Sequence, residues 1–237
     1  MKKLMLTAAV MAAGAAMAIE SVNVVGYAAS ELNDTGVTLG GGQFLDVGAA
    51  QLSLTNIKPV GAGDGEVSLN VLDAGGYTLA TYVWADWGEP DIGWQDDSMA
   101  FIDDTVKVAP GSSFWIQCDT TGVTLQSAGQ VPSSDVSITL NDTGVTVVGN
   151  PFPTAVKLNT VIAQGAGDGE VSLNTLDAGG YTLSTYVWAD WGDPDIGWQD
   201  DSMAFIDDTV EVAPGQGFWA QCDTTDVSLY FPGLSLE

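Results

Sequence analysis

Acidic side chains make up most of the residues in this sequence that could carry out chemistry. Two stretches each concentrate seven carboxylates among turn-forming residues. Crowded carboxylates repel one another unless protons or hard cations intervene, and Ca²⁺ takes about six to eight oxygen ligands of this kind. The stretches therefore predict calcium sites without the ligand order of an EF-hand, and the alternative is a solvated acidic face. The candidate ligands are Asp86, Glu89, Asp91, Asp96 and Asp97, with their copies Asp190, Asp193, Asp195, Asp200 and Asp201.

Tryptophan is the second residue type that suggests a binding chemistry. Trp87 and Trp94 lie in a segment rich in Gly, Pro and Asp, as do their copies Trp191 and Trp198, and this composition is compatible with exposure of the four side chains. Packing is the main interpretation. Indole faces stack on pyranose rings while neighbouring carboxylates accept hydroxyl protons, so glycan contact is the alternative, followed by a protein interface. The other four tryptophans lie in strand-like segments and are expected in the core: Trp84, Trp115, Trp188 and Trp219.

The composition excludes several classes of function. The 237 residues include no His and no Arg, and five lysines face 31 acidic residues, giving a net charge of −26. Catalytic pairs that use histidine are therefore absent, and the acidic field opposes binding to nucleic acid and to anionic membranes. A carboxylate-pair glycosidase is the enzyme class that such a composition permits, but nothing distinguishes one acid from the others. We expect a protein that is not an enzyme.

Two cysteines, Cys118 and Cys222, occupy equivalent places late in the two halves of the chain. Period-two alternation puts each cysteine on the same strand face as apolar neighbours, which favours separate burial of two thiols. An oxidising compartment would favour a disulfide instead. Both possibilities stay open at the level of sequence.

The N-terminal segment has the organisation of a secretory signal. Lys2 and Lys3 precede an apolar run, and the run ends at Ala16-Met17-Ala18, a small-x-small site that signal peptidase accepts. The run is shorter than the roughly 20 residues that a spanning helix requires. We therefore predict that residues 1–18 are cleaved and that the product is extracellular or lies on the cell surface of a bacterium, without insertion into a membrane.

An internal duplication organises the rest of the chain. Residues 61–111 and 165–215 align without a gap and differ at four positions, and Leu32-Asn33-Asp34-Thr35-Gly36-Val37-Thr38 recurs as Leu140-Asn141-Asp142-Thr143-Gly144-Val145-Thr146. Repeat one is residues 19–130 and repeat two residues 131–237. Repeat one is four residues longer between Thr38 and Leu54 than repeat two is between Thr146 and Leu158, in a loop expected near Gly40-Gly41-Gly42. A polar hinge over residues 127–134 is predicted to separate them.

Strand patterns occur throughout both repeats. Alternating segments rich in β-branched and aromatic residues, such as residues 67–72 and 77–84, are separated by turns containing Gly, Asp, Asn and Pro. The helical pattern is confined to short turns near residues 54–57 and 158–161. The sequence predicts an all-β protein of two tandem antiparallel β-sandwich or small-barrel domains.

Two short motifs in repeat two carry a resemblance to a known class of proteins. Val148-Gly149-Asn150-Pro151-Phe152-Pro153 and Ala213-Pro214-Gly215-Gln216-Gly217-Phe218-Trp219 resemble the opening turn and the late strand of exported β-modules in Gram-negative surface proteins. Repeat one departs from both motifs, with Gly40-Gly41-Gly42-Gln43-Phe44 and Pro110-Gly111-Ser112-Ser113-Phe114-Trp115. The resemblance implies an extracellular β-module of structural or adhesive character and no active site.

Taken together, these features predict a secreted structural protein of the cell surface or extracellular matrix. Two like domains in one chain suit head-to-tail self-association into a filament or layer. Strand-like segments near the chain ends, residues 22–27 and 227–231, are predicted to pair with the exposed edge of a neighbour. The alternative function is a carbohydrate-binding or adhesion module that uses the loop tryptophans.

Overall fold

The computed structural model describes residues 25–233, and the predicted signal segment 1–18 lies outside them. The described chain is all-β, with small antiparallel sheets arranged like the blades of a four-bladed propeller. No helix within residues 25–233 has the length and apolar character needed to span a bilayer.

Strands of repeat one form where β-branched and aromatic residues alternate with polar ones, and Gly, Asp and Asn occupy the turns between them. A 3-10 turn at Leu54–Asn56 confirms the predicted helical turn near residue 54. The strands β1 to β10 are, in order, Val25–Glu31, Gly36–Gly41, Leu52–Ser53, Ile57–Val60, Val67–Leu72, Thr78–Asp86, Ile92–Gln95, Lys107–Val108, Ser113–Cys118 and Thr124–Gln130.

Repeat two follows the same order of elements. Its 3-10 turn, at Leu158–Thr160, again matches the predicted one. The strands β11 to β20 are Val136–Thr139, Gly144–Gly149, Val156–Lys157, Ile162–Gln164, Val171–Leu176, Thr182–Asp190, Ile196–Gln199, Glu211–Val212, Gly217–Cys222 and Ser228–Phe231.

Each repeat builds the same three sheets from its own strands. In repeat one these are a five-stranded sheet in the order β2-β9-β5-β6-β7, a three-stranded sheet β1-β10-β4 and a two-stranded sheet β3-β8. Repeat two forms the equivalent sheets β12-β19-β15-β16-β17, β11-β20-β14 and β13-β18. All pairs are antiparallel, as the short strands and tight turns require.

Two hydrophobic clusters fill the inner faces of these sheets. One draws on residues 28–131 and the other on residues 140–231. Strand β9 shows the alternation that builds them, because Phe114, Ile116 and Cys118 are buried whereas Gln117 is exposed. Val131 packs in the first cluster, although the predicted boundary assigns it to repeat two.

The two cysteines are buried separately as unpaired thiols. Cys118 and Cys222 end β9 and β19, and each side chain lies in the cluster of its own repeat. Each thiol donates to a backbone carbonyl two residues further along the chain, at 3.3 Å. Of the two possibilities that the sequence left open, the structure therefore shows separate burial.

The two repeats meet at a reciprocal contact, here called the junction. The hairpin turn between β5 and β6 presents the carbonyl of Ala74 to the backbone N–H of Val145, at 2.8 Å. The equivalent turn of repeat two presents Ala178 to the N–H of Val37, at 2.9 Å. The repeated motifs containing Gly36 and Gly144 are thus the acceptor sites for the turns of the opposite repeat.

Two local expectations were correct only in part. Gly40 and Gly41 pair with β9 as the end of β2, and the four extra residues of repeat one fall in the connection 42–51. The hinge is shorter than expected, because β10 continues to Gln130 and leaves residues 131–135 as the connection.

The observed strand pairing opposes the prediction that the chain ends pair with the exposed edge of a neighbour. Strand β20 is the central strand of its sheet, so β11 and β14 already occupy both of its edges. Within the described residues, β1 pairs only with β10 of its own repeat. Pairing of the C-terminal strand with a neighbouring chain would therefore require one of its present partners to leave.

Candidate functional site

The acidic residues of the predicted calcium sites lie in exposed turns at the ends of β6 and β7. Asp96 shows how they are used: its Oδ1 accepts the backbone N–H of Ser98 at 2.9 Å and of Ala100 at 3.1 Å, and the Ser98 hydroxyl at 2.7 Å. Asp200 repeats this arrangement with Ser202 and Ala204. These carboxylates stabilise their own turns.

Hydrogen bonding sets the ionisation of these carboxylates. The hydroxyl of Ser98, followed by the backbone N–H groups of Ala100 and Ser98, lowers the pKa of Asp96 below its usual value. The hydroxyl and backbone N–H of Thr105 lower the pKa of Asp103 in the same way, and the copies Asp200 and Asp207 behave alike. Asp103 and Asp207 are exposed and Asp96 and Asp200 are partly exposed, so solvent screens their mutual repulsion.

The structure does not bring the candidate ligands together around one point. Within residues 25–233, no three Asp, Glu or Cys side chains gather closely enough to hold an ion. Because Ca²⁺ takes about six to eight oxygens, binding at these turns would require the side chains to rearrange or a second molecule to contribute. Calcium binding by the predicted residues stays a prediction.

Trp94 and Trp198 are buried, so packing is confirmed for them and the glycan-contact alternative is wrong for these two residues. Each is 1% exposed, and the indole Nε1 of Trp94 donates to the carbonyl of Ile57 at 2.7 Å. The reason is that β7 pairs with β6 and places Trp94 opposite Trp84, with ring centroids 5.3 Å apart. Most of the Gly, Pro and Asp residues that suggested a loop lie on either side of this short strand, and Gly93 lies within it.

Trp87 and Trp191 are exposed, as the composition of their segments allows, and each forms part of an aromatic pair. Trp87 is 59% exposed and packs edge-on against Phe101, with ring centroids 5.5 Å apart and an interplanar angle of 76°. Trp191 and Phe205 form the same arrangement in repeat two. Gly93 lies beside the Phe101 ring, where a Cβ would be in van der Waals contact. These two clusters are called the exposed aromatic pairs below.

Sequence reasoning did not identify Phe101 and Phe205 as parts of a surface. Each follows a turn and forms an isolated bridge to β7 or β17, at Gln95 or Gln199. An isolated aromatic residue between polar turns carries no periodicity that would indicate which surface it joins. Their presence in both copies of the repeat is the one feature that could have singled them out.

Trp115 and Trp219 were expected in the core, but they lie half-buried at the junction. The two indoles pack against each other across the repeats, with centroids 5.8 Å apart and an interplanar angle of 73°. Gly76 and Gly180 in the opposing turns adopt φ of +77° and +79° and lie close to the rings of Trp219 and Trp115. Glycine suits both positions because it adopts positive φ without strain and leaves room for the ring.

Open cavities flank this central tryptophan pair. Two of about 180 Å³ each are lined by both indoles, one reaching Thr78 and the other Thr182. A third, of about 310 Å³, shares Leu176 with the second and extends between the repeats to Ser30. The two smaller cavities share both indoles, and the largest one meets the second of them at Leu176; the three are together called the junction groove below.

Comparison with protein-family models, with curated proteins and with solved structures gives no match to this chain. The function therefore has to be argued from the geometry of the exposed aromatic pairs, the acidic turns and the junction.

Proposed function

We propose that this chain is a secreted, non-enzymatic structural protein of the cell surface or extracellular matrix that self-associates through its exposed aromatic pairs. The observation that carries the proposal is the occurrence of the same exposed Trp–Phe pair in both repeats, at Trp87 with Phe101 and at Trp191 with Phe205. A chain with two equivalent adhesive surfaces can contact two neighbours at once.

Aromatic residues of this kind are the usual energetic centres of protein interfaces. Trp contributes a large contact area with few rotatable bonds, and hot spots are enriched in it. An indole that is 59% exposed leaves much of that area open to a partner. A heterologous contact through two such surfaces extends into a filament or sheet when the rotation does not close.

The domain arrangement proposed with this function is two tandem β-sandwich or small-barrel units. Two separate hydrophobic clusters support it, since each could stabilise its own unit. The resemblance of the motifs at residues 148–153 and 213–219 to exported β-modules supports the same view and the proposed extracellular location.

Calcium enters this proposal as a bridge between chains. Asp86, Glu89 and Asp91 surround Trp87 in sequence, so an aromatic contact between two copies would bring carboxylates of both close together. Their repulsion would oppose assembly unless cations intervened. We therefore expect Ca²⁺ to promote self-association more strongly than it raises the stability of a single chain.

The second candidate function is carbohydrate binding or adhesion at the loop tryptophans. The exposure of Trp87 and Trp191 favours it, because an open indole face can stack on a pyranose ring. Trp94 and Trp198 can no longer contribute, since both are buried.

The experiment that tests self-association compares the wild-type chain with the double variant Trp87→Ser/Trp191→Ser by light scattering after size exclusion and by electron microscopy. The control is Tyr77→Ser/Tyr181→Ser, which removes two aromatic side chains that are 75% exposed outside the pairs. We expect polymers of the wild type and control but monomers of the tryptophan variant. A monomeric wild type across concentration and Ca²⁺ would refute the proposal.

A fluorescence titration separates the second candidate from the first. Neutral polysaccharide that quenches tryptophan emission of the monomeric chain, with the quench lost in Trp87→Ser/Trp191→Ser, would favour glycan binding at the loops. Assembly without such a quench would favour the structural role.

A further inference from the structure

The junction groove differs at its two ends, although the repeats that form it are nearly alike. At one end the backbone N–H of Gly149 donates to the carbonyl of Gly111 at 2.9 Å, and Ser112 bridges to Val148. The side chain of Ile138 fills the space beside Gly111. This end is closed by strand pairing and by an apolar side chain.

The other end is open because smaller residues occupy the equivalent positions. Ser30 takes the place of Ile138 in the register that aligns Leu32 with Leu140, and Gly40 takes the place of Val148. Gly215, the counterpart of Gly111, lies beside Ser30. The result is the cavity of about 310 Å³, within the range of about 300–1,000 Å³ typical of small-molecule sites.

A buried and unsatisfied amide lies against this open end. Gln43 is 1% exposed, and among the described residues neither its Nε2 nor its Oε1 has a hydrogen-bond partner. Its Nε2 would be 2.6 Å from a Cβ at Gly215, a residue that lines the cavity. Gln43 lies behind Gly215 and does not itself line the cavity, so its amide supplies no direct contact to a ligand there.

The lining of the groove specifies the chemistry of its ligand. The half-buried indoles of Trp115 and Trp219 lie at its centre, and Thr78, Thr182 and Ser30 supply hydroxyl groups along it. Glu31 is the one charged residue among those lining the three cavities. Without a lysine the groove offers no counter-charge to an anion, whereas indole faces and hydroxyls suit neutral sugars.

We propose that the junction groove binds a segment of a neutral polysaccharide, with the Trp115–Trp219 pair as its stacking platform and the cavity between Ser30 and Gly215 as its terminal subsite. The site requires both repeats, because each contributes one indole and one wall of the open cavity. It uses none of the residues of the exposed aromatic pairs and is therefore independent of the proposed self-association.

The test measures binding of three linear neutral hexasaccharides, cellohexaose, laminarihexaose and maltohexaose, by isothermal titration calorimetry on the full chain. Ser30→Ile introduces the side chain that fills the closed end, and Thr182→Arg extends a long side chain from an exposed position beside the cavity that both indoles and Leu176 line. We expect at least one hexasaccharide to bind with a Kd below about 1 mM and each variant to weaken it at least about tenfold. Thr139→Arg adds the same side chain at an exposed position outside the groove, so it is the matched control and should bind like the wild type. Trp87→Ala tests the loop site separately.

Three outcomes would overturn the proposal. The first is that none of the three sugars binds the wild type, and the second is that both groove variants bind like the wild type. The third is that Trp87→Ala alone abolishes binding, which would place the sugar at the loops. Melting curves of the variants show whether they are folded, and the exposed Thr182→Arg keeps the test decisive if Ser30→Ile does not fold. If Trp87→Ser/Trp191→Ser loses self-association, sugar binding at the junction groove is still expected to equal that of the wild type.

Discussion

Asn150 is the buried polar residue that organises the opening turn of repeat two. Its Nδ2 donates to the carbonyls of Thr154 at 2.7 Å and Val212 at 3.0 Å, and its Oδ1 accepts the backbone N–H of Phe152 at 2.9 Å. One side chain thus joins the turn to β18 and satisfies three backbone groups. The short motif at residues 149–153 is explained by this network rather than by chemistry with a ligand.

Replacing Asn150 with alanine is expected to destabilise the protein by about 1–3 kcal/mol, because buried backbone groups lose their partners. The matched control is Asn159→Ala, which changes an exposed asparagine and should alter stability by less than about 0.5 kcal/mol. Urea unfolding measures both. Equal stability of the two variants would contradict the role assigned to Asn150.

The hydrogen-bonded aspartates of the turns predict how stability depends on pH. The pKa values of Asp96 and Asp200 are lowered in the folded chain by the hydroxyls and backbone N–H groups of their turns. A lowered pKa contributes stability above the unfolded value of about 3.9, and this stability is lost as the pH falls through the folded pKa. We expect the melting temperature to fall below about pH 4 for this reason.

The double variant Asp96→Asn/Asp200→Asn isolates that contribution. Asparagine keeps an oxygen acceptor for the turn but does not titrate, so the acid-induced fall in melting temperature should be shallower than in the wild type. Asp97→Asn/Asp201→Asn is the control, since these exposed neighbours accept no hydrogen bond from the turn within residues 25–233. Indistinguishable acid profiles of the first variant and the wild type would rule out the assignment.

At the scale of elements, the junction depends on glycine at the start of β2 and of β12. A Cβ at Gly36 would lie about 2.5 Å from the carbonyl oxygen of Ala178, and a Cβ at Gly144 would overlap that of Ala74. The same carbonyls accept the N–H groups of Val37 and Val145. Glycine is required at these two positions because the opposing turn approaches the backbone directly.

Gly144→Ala is therefore expected to cost about 1–3 kcal/mol by forcing the turn at Ala74 away from β12. The control Gly93→Ala adds the same methyl group to β7, where it would meet Phe101 at 3.5 Å without a clash. Thermal unfolding of the two variants measures the difference. A second readout is small-angle scattering of Gly36→Ala/Gly144→Ala, which should show the repeats moving apart. An unchanged unfolding temperature together with an unchanged scattering profile would show that the junction tolerates the methyl groups.

Elements also explain which binding residues the sequence could identify. Trp87 lies on the surface, as the composition of its segment allows, because it follows the end of β6, whereas Trp94 is buried by the pairing of β7 with β6. Alternation within four residues does not reveal which face of a strand will be covered. Long-range strand pairing determined which tryptophan is buried, and local sequence patterns do not predict that pairing.

At the scale of the whole molecule, the net charge of −26 opposes both compactness and self-association. Two ion pairs occur among residues 25–233, Lys107 with Asp46 at 2.8 Å and Lys157 with Asp208 at 3.0 Å, and both are partly exposed. Burial of Asp46 raises its pKa, but hydrogen bonds from Lys107, Ser53 and Asn56 outweigh this and leave the pKa lowered. Most of the negative charge has no positive partner.

Salt is consequently expected to raise both the melting temperature and the extent of self-association. The Debye length falls from about 30 Å at 0.01 M ionic strength to about 3 Å at 1 M, which screens repulsion between exposed carboxylates. Scanning calorimetry and light scattering across this range in NaCl measure the two effects. CaCl₂ at matched ionic strength is the control for specific calcium binding, because a larger effect than that of NaCl would exceed simple screening. Insensitivity to NaCl would contradict the electrostatic argument.

The sequence by itself determined the duplication, the antiparallel β class and the two 3-10 turns, whereas separate burial of Cys118 and Cys222 was decided by the structure. The first three properties follow from composition and from patterns within a few residues, because turn chemistry and period-two alternation act locally. Only the tertiary structure decided that Trp94 is buried, that Phe101 joins Trp87, and that Trp115 meets Trp219 across the junction. Each of these contacts joins segments that are distant in the sequence and adjacent only in the fold. The pairing of one repeat with the other therefore cannot be predicted from any single segment.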